Sequence, residues 1–472
     1  MTRAMPSFLD KRRVVVLGLG MTGLSAARWA LANGASVRVA DTRAAPARAG
    51  DLRADLPGVE LVCGPFTDAT FAGAELIVLS PGLSKDHPAI RSAVARGVEL
   101  VGDIELFARA LPTGQKVLAI TGSNGKSTVT LLTTQLLRAT GLDAVAAGNI
   151  GEPVLDVLSA YSQGKRWPDV FVLELSSFQL ETTWSLAPVS SAVLNVSANH
   201  LDRYADIAAY AAAKSRIFYG GGEQVLNRDD PLSMAMRLPD RALRCFGRGI
   251  PETEDEWGLV PRKGASWLAR GGALLLPAHE LALVGQHNAL NALASLALIS
   301  SVAKVDRRVL AALCEFRGLA HRMERVGEKA SEKASEKGGI SFVNDSKATT
   351  VAATAAALSG YGRNVVLIAG GDGKGQDFAA LAPEADAHCR AVVLIGRDGP
   401  ALGAALTGIR AGVEFASTLE AAVERAIDLA QAGDTVLLSP ACASLDMFRS
   451  FEERGDRFKA AVNAHIGEST HA

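Results

Sequence analysis

Apolar runs of four to six residues recur along this chain, and most end in glycine or small polar residues followed by a segment of helical period. Residues 14–17 run into Gly18, 117–120 into a turn at 121–125, and 170–175 are interrupted only by Glu174. Ala192, Val193, Leu194 and Val196 make another run, ending at Asn199-His200. Past residue 339 the rhythm returns: 340–343, 364–369, 391–395 and 435–438 each end in a polar or glycine loop. Runs without polar alternation are strands buried on both faces, so the pattern predicts parallel sheets covered by helices. Ligands of such sheets bind at the carboxyl ends of the strands, where these loops fall. The predicted class is α/β in three domains. An N-terminal Rossmann-like domain takes residues 1–104, a central P-loop-type parallel-sheet domain 105–318, and a C-terminal Rossmann-like domain 319–472. The boundaries follow helix-breaking Pro112 and Gly114 before the central strand, and a cation-dense linker around Arg317–Arg325.

Residues 116–141 organise the rest. A strand feeds Thr121-Gly122-Ser123-Asn124-Gly125, and a helix opens at Lys126 with Val129, Leu132 and Leu136 on one face. A glycine turn at a helix N-terminus aims backbone N–H groups and the positive end of the dipole at an anion. Lys126 is placed to reach the outer phosphates of a nucleotide and Ser127 to hold a magnesium ion. The loop is shorter than the common G-x-x-x-x-G-K-[ST] form, with Ile120 where that form has glycine. Gly18-Leu-Gly20-Met-Thr-Gly23 is a second glycine turn, with Asp41 eighteen residues past its last glycine. It suits a diphosphate, and Asp41 suits a ribose hydroxyl or a base edge equally well.

Other polar residues interrupt apolar surroundings. Glu174 in its strand needs a cation or a hydrogen-bond donor: magnesium, the attacking group, or an arginine. His200 at a strand end is a structural or a functional histidine. Lys214, on an alanine-rich helix, reads locally as a solvated lysine. Asn288 and Asn291 open an apolar helix as base contacts or as caps. The near-repeat at 328–339 reads as a solvated loop or helical flap, and Phe448, Phe451 and Phe458 as core.

Composition narrows the class. Hydrophobic residues are 48% of the chain and aromatics only 5%, as in helices and sheets packed through small aliphatics. A net charge of −1 leaves no global attraction for nucleic acid or an anionic membrane. Cys63, Cys245, Cys314, Cys389 and Cys442 are scattered and odd in number, so neither a disulfide framework nor a zinc site is expected. Without an apolar N-terminal core or a membrane-length run, the expectation is a cytoplasmic protein. The intact G-x-G-x-x-G keeps a nicotinamide-dependent oxidoreductase open, and a non-catalytic nucleotide sensor remains a further alternative.

Taken together, TGSNGKST, ELSSFQLE, NHLDRY, AAAKSRI, GQHNALNA, HRMER, NDSKAT, GGDGKGQDF and SPACASLDMFRSFEERG resemble the Mur ligases. These are ATP-dependent amide-forming enzymes of bacterial cell-wall precursor assembly. GLGMTG with DTR, and NDSKAT with SPACASLDMF, look most like the branch that adds D-glutamate; a sister ligase adding another amino acid, or a folate-type polyglutamate ligase, is the near alternative. The resemblance covers the whole chain except the 328–339 insert, and is weak around 230–275.

The resemblance implies a UDP-binding first domain, with Met21, Thr22, Asp41, Thr42 and Asn149 on UDP-N-acetylmuramoyl-L-alanine. It implies ATP on Gly122, Ser123, Asn124, Gly125, Lys126, Ser127 and Thr128, with Asn288, Asn291, Arg322 and Asp345 contributing. Two magnesium sites are implied, on Ser127, Glu174, His200 and Lys214, the last carbamylated. Lys126, Glu174, His200 and Lys214 are then the catalytic set. Lys347, Thr349, Lys374, Ser444, Leu445 and Phe451 match the positions that hold D-glutamate. The expected partners are these small molecules alone, for a monomer.

Overall fold

The computed structural model describes residues 8–467 apart from 198–202, 263, 284, 319, 331–338, 360 and 362–363. It forms two compact units, Met1–Phe316 and Arg317–Ala472.

The first unit carries two sheets. Strands β1 (Arg13–Leu17), β2 (Ser36–Asp41), β3 (Glu60–Cys63), β4 (Leu76–Leu79) and β5 (Glu99–Val101) lie in the order β3-β2-β1-β4-β5, all parallel. The order reverses between β1 and β4, so the loops leaving those strands flank the crevice where doubly wound sheets bind ligands. Val14, Val15, Val16 and Leu17 are all nearly fully buried because helices cover both faces. The glycine turn after β1 opens helix Met21–Ala32. Gly23 allows that helix to close on the strand: a β-carbon there would lie 1.8 Å from the Gly18 carbonyl oxygen.

The second sheet runs through β6 (Lys116–Thr121), β7 (Ala144–Gly148), β8 (Val170–Glu174), β9 (Ser190–Val193), β10 (Glu223–Asn227), β11 (Leu243–Arg248), β12 (Glu256–Arg262), β13 (Ala265–Arg270) and β14 (Ala273–Pro277). Its order is β14-β13-β12-β11-β10-β9-β6-β8-β7, with only the last hairpins, β12 to β14, antiparallel. β6 sits centrally between β8 and β9, so the glycine loop after it is bordered by the ends of both. Val129, Leu132 and Leu136 of helix Lys126–Ala139 are buried against helix Gln286–Ile299 and the sheet. Helix Asp103–Ala110 fastens the two sheets: Glu105 accepts from the backbone N–H groups of Trp184 and Ser185 at 2.8 and 2.9 Å.

The second unit is one sheet of β15 (Glu324–Ala330), β16 (Gly339–Asn344), β17 (Val365–Gly370), β18 (Cys389–Ile395), β19 (Gly412–Phe415) and β20 (Thr435–Leu438), in the order β15-β16-β20-β17-β18-β19. Only β15 runs antiparallel. Of the 328–339 segment, expected to be a loop or helical flap, residues 331–338 lie outside the described residues, and its two ends are strand instead. Residues 328–330 and 339 are edge-strand residues paired across β15 and β16. Charged residues are common on edge strands because they discourage further pairing, and a compositional reading cannot distinguish that from a solvated loop. Phe448 and Phe458 are core, as expected, while Phe451 is only half-buried. Among the described residues no helix is long and apolar enough to cross a membrane.

Candidate functional site

The glycine loop after β6 is built by its neighbours as much as by its own residues. Gly125 is the N-cap of helix Lys126–Ala139 at φ +82°, a left-handed conformation that glycine adopts without strain. Space enforces the same choice, since a β-carbon on Gly125 would lie 2.6 Å from Asn291 Oδ1. Asn195, just beyond β9, clamps the turn: its Oδ1 accepts from Asn124 N at 2.8 Å and its Nδ2 donates to Asn124 O at 3.1 Å. The Asn195 carbonyl accepts from Ser123 N at 2.9 Å, and Ser123 Oγ accepts from Ser197 N at 2.9 Å. Neither Asn195 nor Ser197 stood out in the sequence. An amide closing an apolar strand was the available signal, and its meaning depends on β9 lying beside β6.

Two lysines converge on one carbonyl of this loop. Lys126 Nζ donates to Gly122 O at 2.9 Å and to Ser123 O at 3.0 Å, while Lys214 Nζ donates to Gly122 O at 2.9 Å. Lys214 is 1% exposed, so the solvated lysine read from its helix is wrong. Helix Ile207–Ser215 buries that face, with the amine 4.5 Å from the Tyr210 ring centroid. Burial, and then the neighbouring charge of Lys126, bring the amine down to about 6. Among the described residues no carboxylate pairs with it.

Glu174 ends β8 and is 2% exposed. Its Oε1 accepts from Asn149 Nδ2 at 2.8 Å, and its backbone carbonyl from Asn149 N at 2.8 Å. Its Oε2 is buried with no hydrogen-bond partner among the described residues. The arginine alternative is therefore not what the structure contains. A buried carboxylate oxygen left open beside a phosphate-type loop suits a hard divalent cation, which prefers oxygen donors. Ser127, buried in the first helical turn, adds a hydroxyl from the same loop. Among the described residues no group of three or more His, Cys, Asp or Glu is arranged to hold a metal ion by itself. The oxygen donors of Glu174 and Ser127 fit magnesium, which keeps waters and shares phosphate oxygens. His200 lies outside the described residues.

Asn288 and Asn291 lie in the first turns of their helix, inside its N-cap. Gly285 is its N-cap, without a side-chain cap bond, and Asn291 Nδ2 donates to Asn288 Oδ1 at 3.3 Å. The pair borders the glycine loop through Asn291.

At the first sheet, Met21 is 58% exposed at the mouth of the glycine turn, with Thr22 half-buried beside it. Asp41 is 2% exposed and already engaged. Its Oδ2 accepts from Leu19 N at 2.7 Å and from Arg43 Nη2 at 2.6 Å, and its Oδ1 from Arg43 N at 2.9 Å. The Arg43 guanidinium is the main reason its carboxyl is lowered to about 2. The acid thus holds the loop and an arginine. Thr42 is exposed next to it. Arg203, also missed, links the loop after β4 to the chain after β8: Nη1 donates to Pro81 O and Nη2 to Glu181 Oε2, both at 2.9 Å.

In the second unit, the remaining candidates lie on the loops after β16, β17 and β20, at Arg322 before β15 and at Phe451 at the start of the last helix. Lys347 is exposed, with Nζ 5.3 Å from the centroid of the Phe451 ring; Lys374 is exposed and Thr349 half-buried. Ser444 is 3% and Leu445 64% exposed. Asp345 is buried, accepting from Ser439 Oγ at 3.0 Å and Met323 N at 3.3 Å, and burial raises it to about 7. Arg322 is half-buried, and its Nε has no hydrogen-bond partner among the described residues.

Comparison with known proteins agrees with these three regions. Residues 12–102 match the model described as the Mur ligase MurD-like N-terminal domain. Residues 120–299 match the Mur ligase middle domain, and 321–442 the Mur ligase glutamate ligase domain. The UDP-N-acetylmuramoylalanine–D-glutamate ligase of Methylobacillus flagellatus is 51% identical over 455 residues, spanning 96% of this chain and 97% of that protein. The ligase of the same name from Chromobacterium violaceum is 51% identical over 96% of this chain and 98% of its own length. Among solved structures, the UDP-N-acetylmuramate–alanine ligase MurC of Thermotoga maritima superposes with a TM-score of 0.56 at 20% identity, over 96% of this chain and 99% of that one, a likeness of fold. The shortened glycine loop, the open carboxylate oxygen beside it and kinship at half identity over nearly the whole length have one common explanation: the chain belongs to the Mur ligase family.

Proposed function

We propose that this chain joins D-glutamate to UDP-N-acetylmuramoyl-L-alanine with cleavage of ATP to ADP and phosphate, acting as a cytoplasmic monomer in peptidoglycan precursor synthesis. The observation that carries the reading is the half-identical, near full-length kinship with ligases of that name.

The chemistry follows from placing a nucleotide on the loop after β6. Backbone N–H groups of residues 125–128, at the helix N-terminus, and the helix dipole face its phosphates. Lys126, now bonded to two loop carbonyls, exchanges them for phosphate oxygens at little cost, since both are acceptors. An alanyl carboxylate oxygen attacks the γ-phosphorus, the bond to the ADP oxygen breaks, and an acyl phosphate results. The D-glutamate amine then attacks that carbonyl, loses a proton, and phosphate leaves with its electron pair. Such transfers need positioning and charge neutralisation more than covalent help.

Ser127 Oγ, Glu174 Oε2 and a carbamylated Lys214, with His200, are the residues that would hold two magnesium ions. The metal would supply neutralisation of the facing carboxylate and phosphate charges. Lys214 is suited to carbamylation because an amine that titrates near 6 is neutral at pH 7 and so nucleophilic toward carbon dioxide. The product is a carboxylate-type ligand where the unmodified chain has only nitrogen.

Met21, Thr22, Asp41, Thr42 and Asn149 are assigned to the UDP substrate. Gly122–Thr128, Asn288, Asn291, Arg322 and Asp345 are assigned to ATP. Lys347, Thr349, Lys374, Ser444, Leu445 and Phe451 are assigned to D-glutamate, and residues 1–104, 105–318 and 319–472 are the corresponding domains. The test is phosphate release with each substrate omitted in turn and with L-alanine, L-glutamate or a diamino acid replacing D-glutamate. The reading requires release only when ATP, the UDP substrate and D-glutamate are all present. Release that persists without D-glutamate, or is faster with another amino acid, overturns it.

A further inference from the structure

Helix Phe451–Gly467 buries an arginine completely: Arg454 is 0% exposed. Its five N–H groups are matched by five contacts. Nε donates to Ser346 Oγ at 3.0 Å, Nη2 to Ser346 O at 2.8 Å and Cys442 O at 3.1 Å, and Nη1 to Cys442 O at 3.1 Å and Ala443 O at 3.4 Å. Every acceptor is neutral. Among the described residues no carboxylate forms an ion pair with this guanidinium. Asp446 is close enough to act on it electrostatically, but Asp446 Oδ2 accepts from Arg397 N at 2.8 Å. Burial lowers Arg454 only to about 10, so it is a cation at neutral pH.

A buried charge that makes no ion pair costs several kcal/mol, and neutral donors can join two loops without that cost. The positions of its partners suggest what the charge is for. Ser346 directly precedes Lys347 and lies three residues before Thr349, and its Oγ also donates to Phe451 O at 2.7 Å. Cys442 and Ala443 directly precede Ser444 and Leu445. Ala443 pairs with Asp372 through two backbone hydrogen bonds of 2.8 and 2.9 Å, and Asp372 Oδ1 accepts from Lys374 N at 3.0 Å. All six residues assigned to D-glutamate are thus on segments tied to this one guanidinium, directly or through a single intervening residue.

We propose that Arg454 is a positioning residue for the amino-acid substrate, setting the loops after β16, β17 and β20 in one arrangement. This rests on the D-glutamate assignment above. Arg454 does not touch the substrate, because its donors are already used within the fold.

The test uses full-length protein with the KM values of all three substrates and kcat measured for Arg454→Lys, Arg454→Gln, Ser346→Ala and Lys347→Ala. Lysine keeps the charge but has fewer donors and no planar fork. Expected is a rise in KM for D-glutamate on the order of tenfold for Arg454→Lys and more for Arg454→Gln, with KM for ATP and the UDP substrate within twofold of wild type. Ser346→Ala, which removes one hydroxyl and leaves the guanidinium buried, is the variant to rely on should the arginine variants not fold, and is expected to raise the same KM severalfold. If Lys347→Ala raises KM for D-glutamate while Arg454→Lys and Ser346→Ala do not, or while they move all three KM values together, this inference falls and the site assignment stands. If Lys347→Ala leaves that KM unchanged, the site assignment itself is wrong.

Discussion

Lys214→Met separates what this lysine costs the fold from what it gives the reaction. Methionine has a similar length and no charge, so it fills the same space against Tyr210 and Thr121. The folded chain holds the amine near 6, whereas in the unfolded chain it titrates at 10.5. Because the folded value is depressed, the folded state binds fewer protons between those limits, and stability rises with pH across that window. The cost of keeping the amine neutral is about 3 kcal/mol at pH 8 and about 6 kcal/mol at pH 6, below which it is constant. Lys214→Met removes that cost. In buffer free of carbon dioxide and nucleotide, the variant is therefore expected to be more stable than wild type, by a margin that widens as pH falls from 9 to 6. All five tryptophans lie in the first unit, so urea unfolding followed by tryptophan fluorescence reports the unit that holds Lys214. Ligase turnover is expected to fall at least about 100-fold in the same variant. Parallel stability–pH curves for the two proteins would refute the reasoning, because they would mean that Lys214 is solvated or paired in the folded chain.

Other perturbations probe separate parts of the account. Asn149→Ala removes the amide that orients Glu174 at 2.8 Å and is expected to raise the magnesium concentration for half-maximal activity about 10- to 100-fold, read from metal titrations at saturating ATP. Gly125→Ala forces a side chain into a φ of +82° and against Asn291; the expected result is at least a tenfold rise in KM for ATP and a stability loss of about 1–2 kcal/mol. Asp41→Asn frees Arg43 and loosens the first glycine turn, so KM for the UDP substrate should rise while KM for ATP holds. The folded value of Asp41 is depressed to about 2, so its contribution is complete above 3.8 and disappears as pH falls toward 2. With Arg43 half exposed, acid titration of stability should show wild type losing about 1–2 kcal/mol more than the variant across that range.

The glycine turns were legible because strand, turn and helix follow one another in the sequence, and Gly18, Gly23 and Gly125 meet local steric demands. The buried acid was legible too, since Glu174 interrupts an apolar run and its environment follows from that run. Lys214 was not legible from its own helix, whose alanines give no face a distinct polarity; only the family resemblance pointed to it. Its burial depends on where that helix lies against the loop after β6, which is a tertiary fact. Asn195 and Arg203 were hidden for the same reason, since their partners lie 71 and 122 residues away. Arg454 was hidden among the charges of FEERGDRF, where nothing local shows which charge turns inward. The edge strand β15 was lost to its composition, because glutamate and lysine at an exposed edge look like the same residues in a loop.

The central claim is that the loop after β6, with Glu174 beside it, allows a carboxylate to attack the end of a triphosphate. Isotope transfer tests this most directly. UDP-N-acetylmuramoyl-L-alanine labelled with oxygen-18 on both alanyl carboxylate oxygens is turned over with ATP, magnesium and D-glutamate, and the inorganic phosphate is analysed by mass spectrometry. The account predicts one labelled oxygen in each phosphate released and one retained in the new amide. Phosphate carrying no label, alongside normal product, would contradict it.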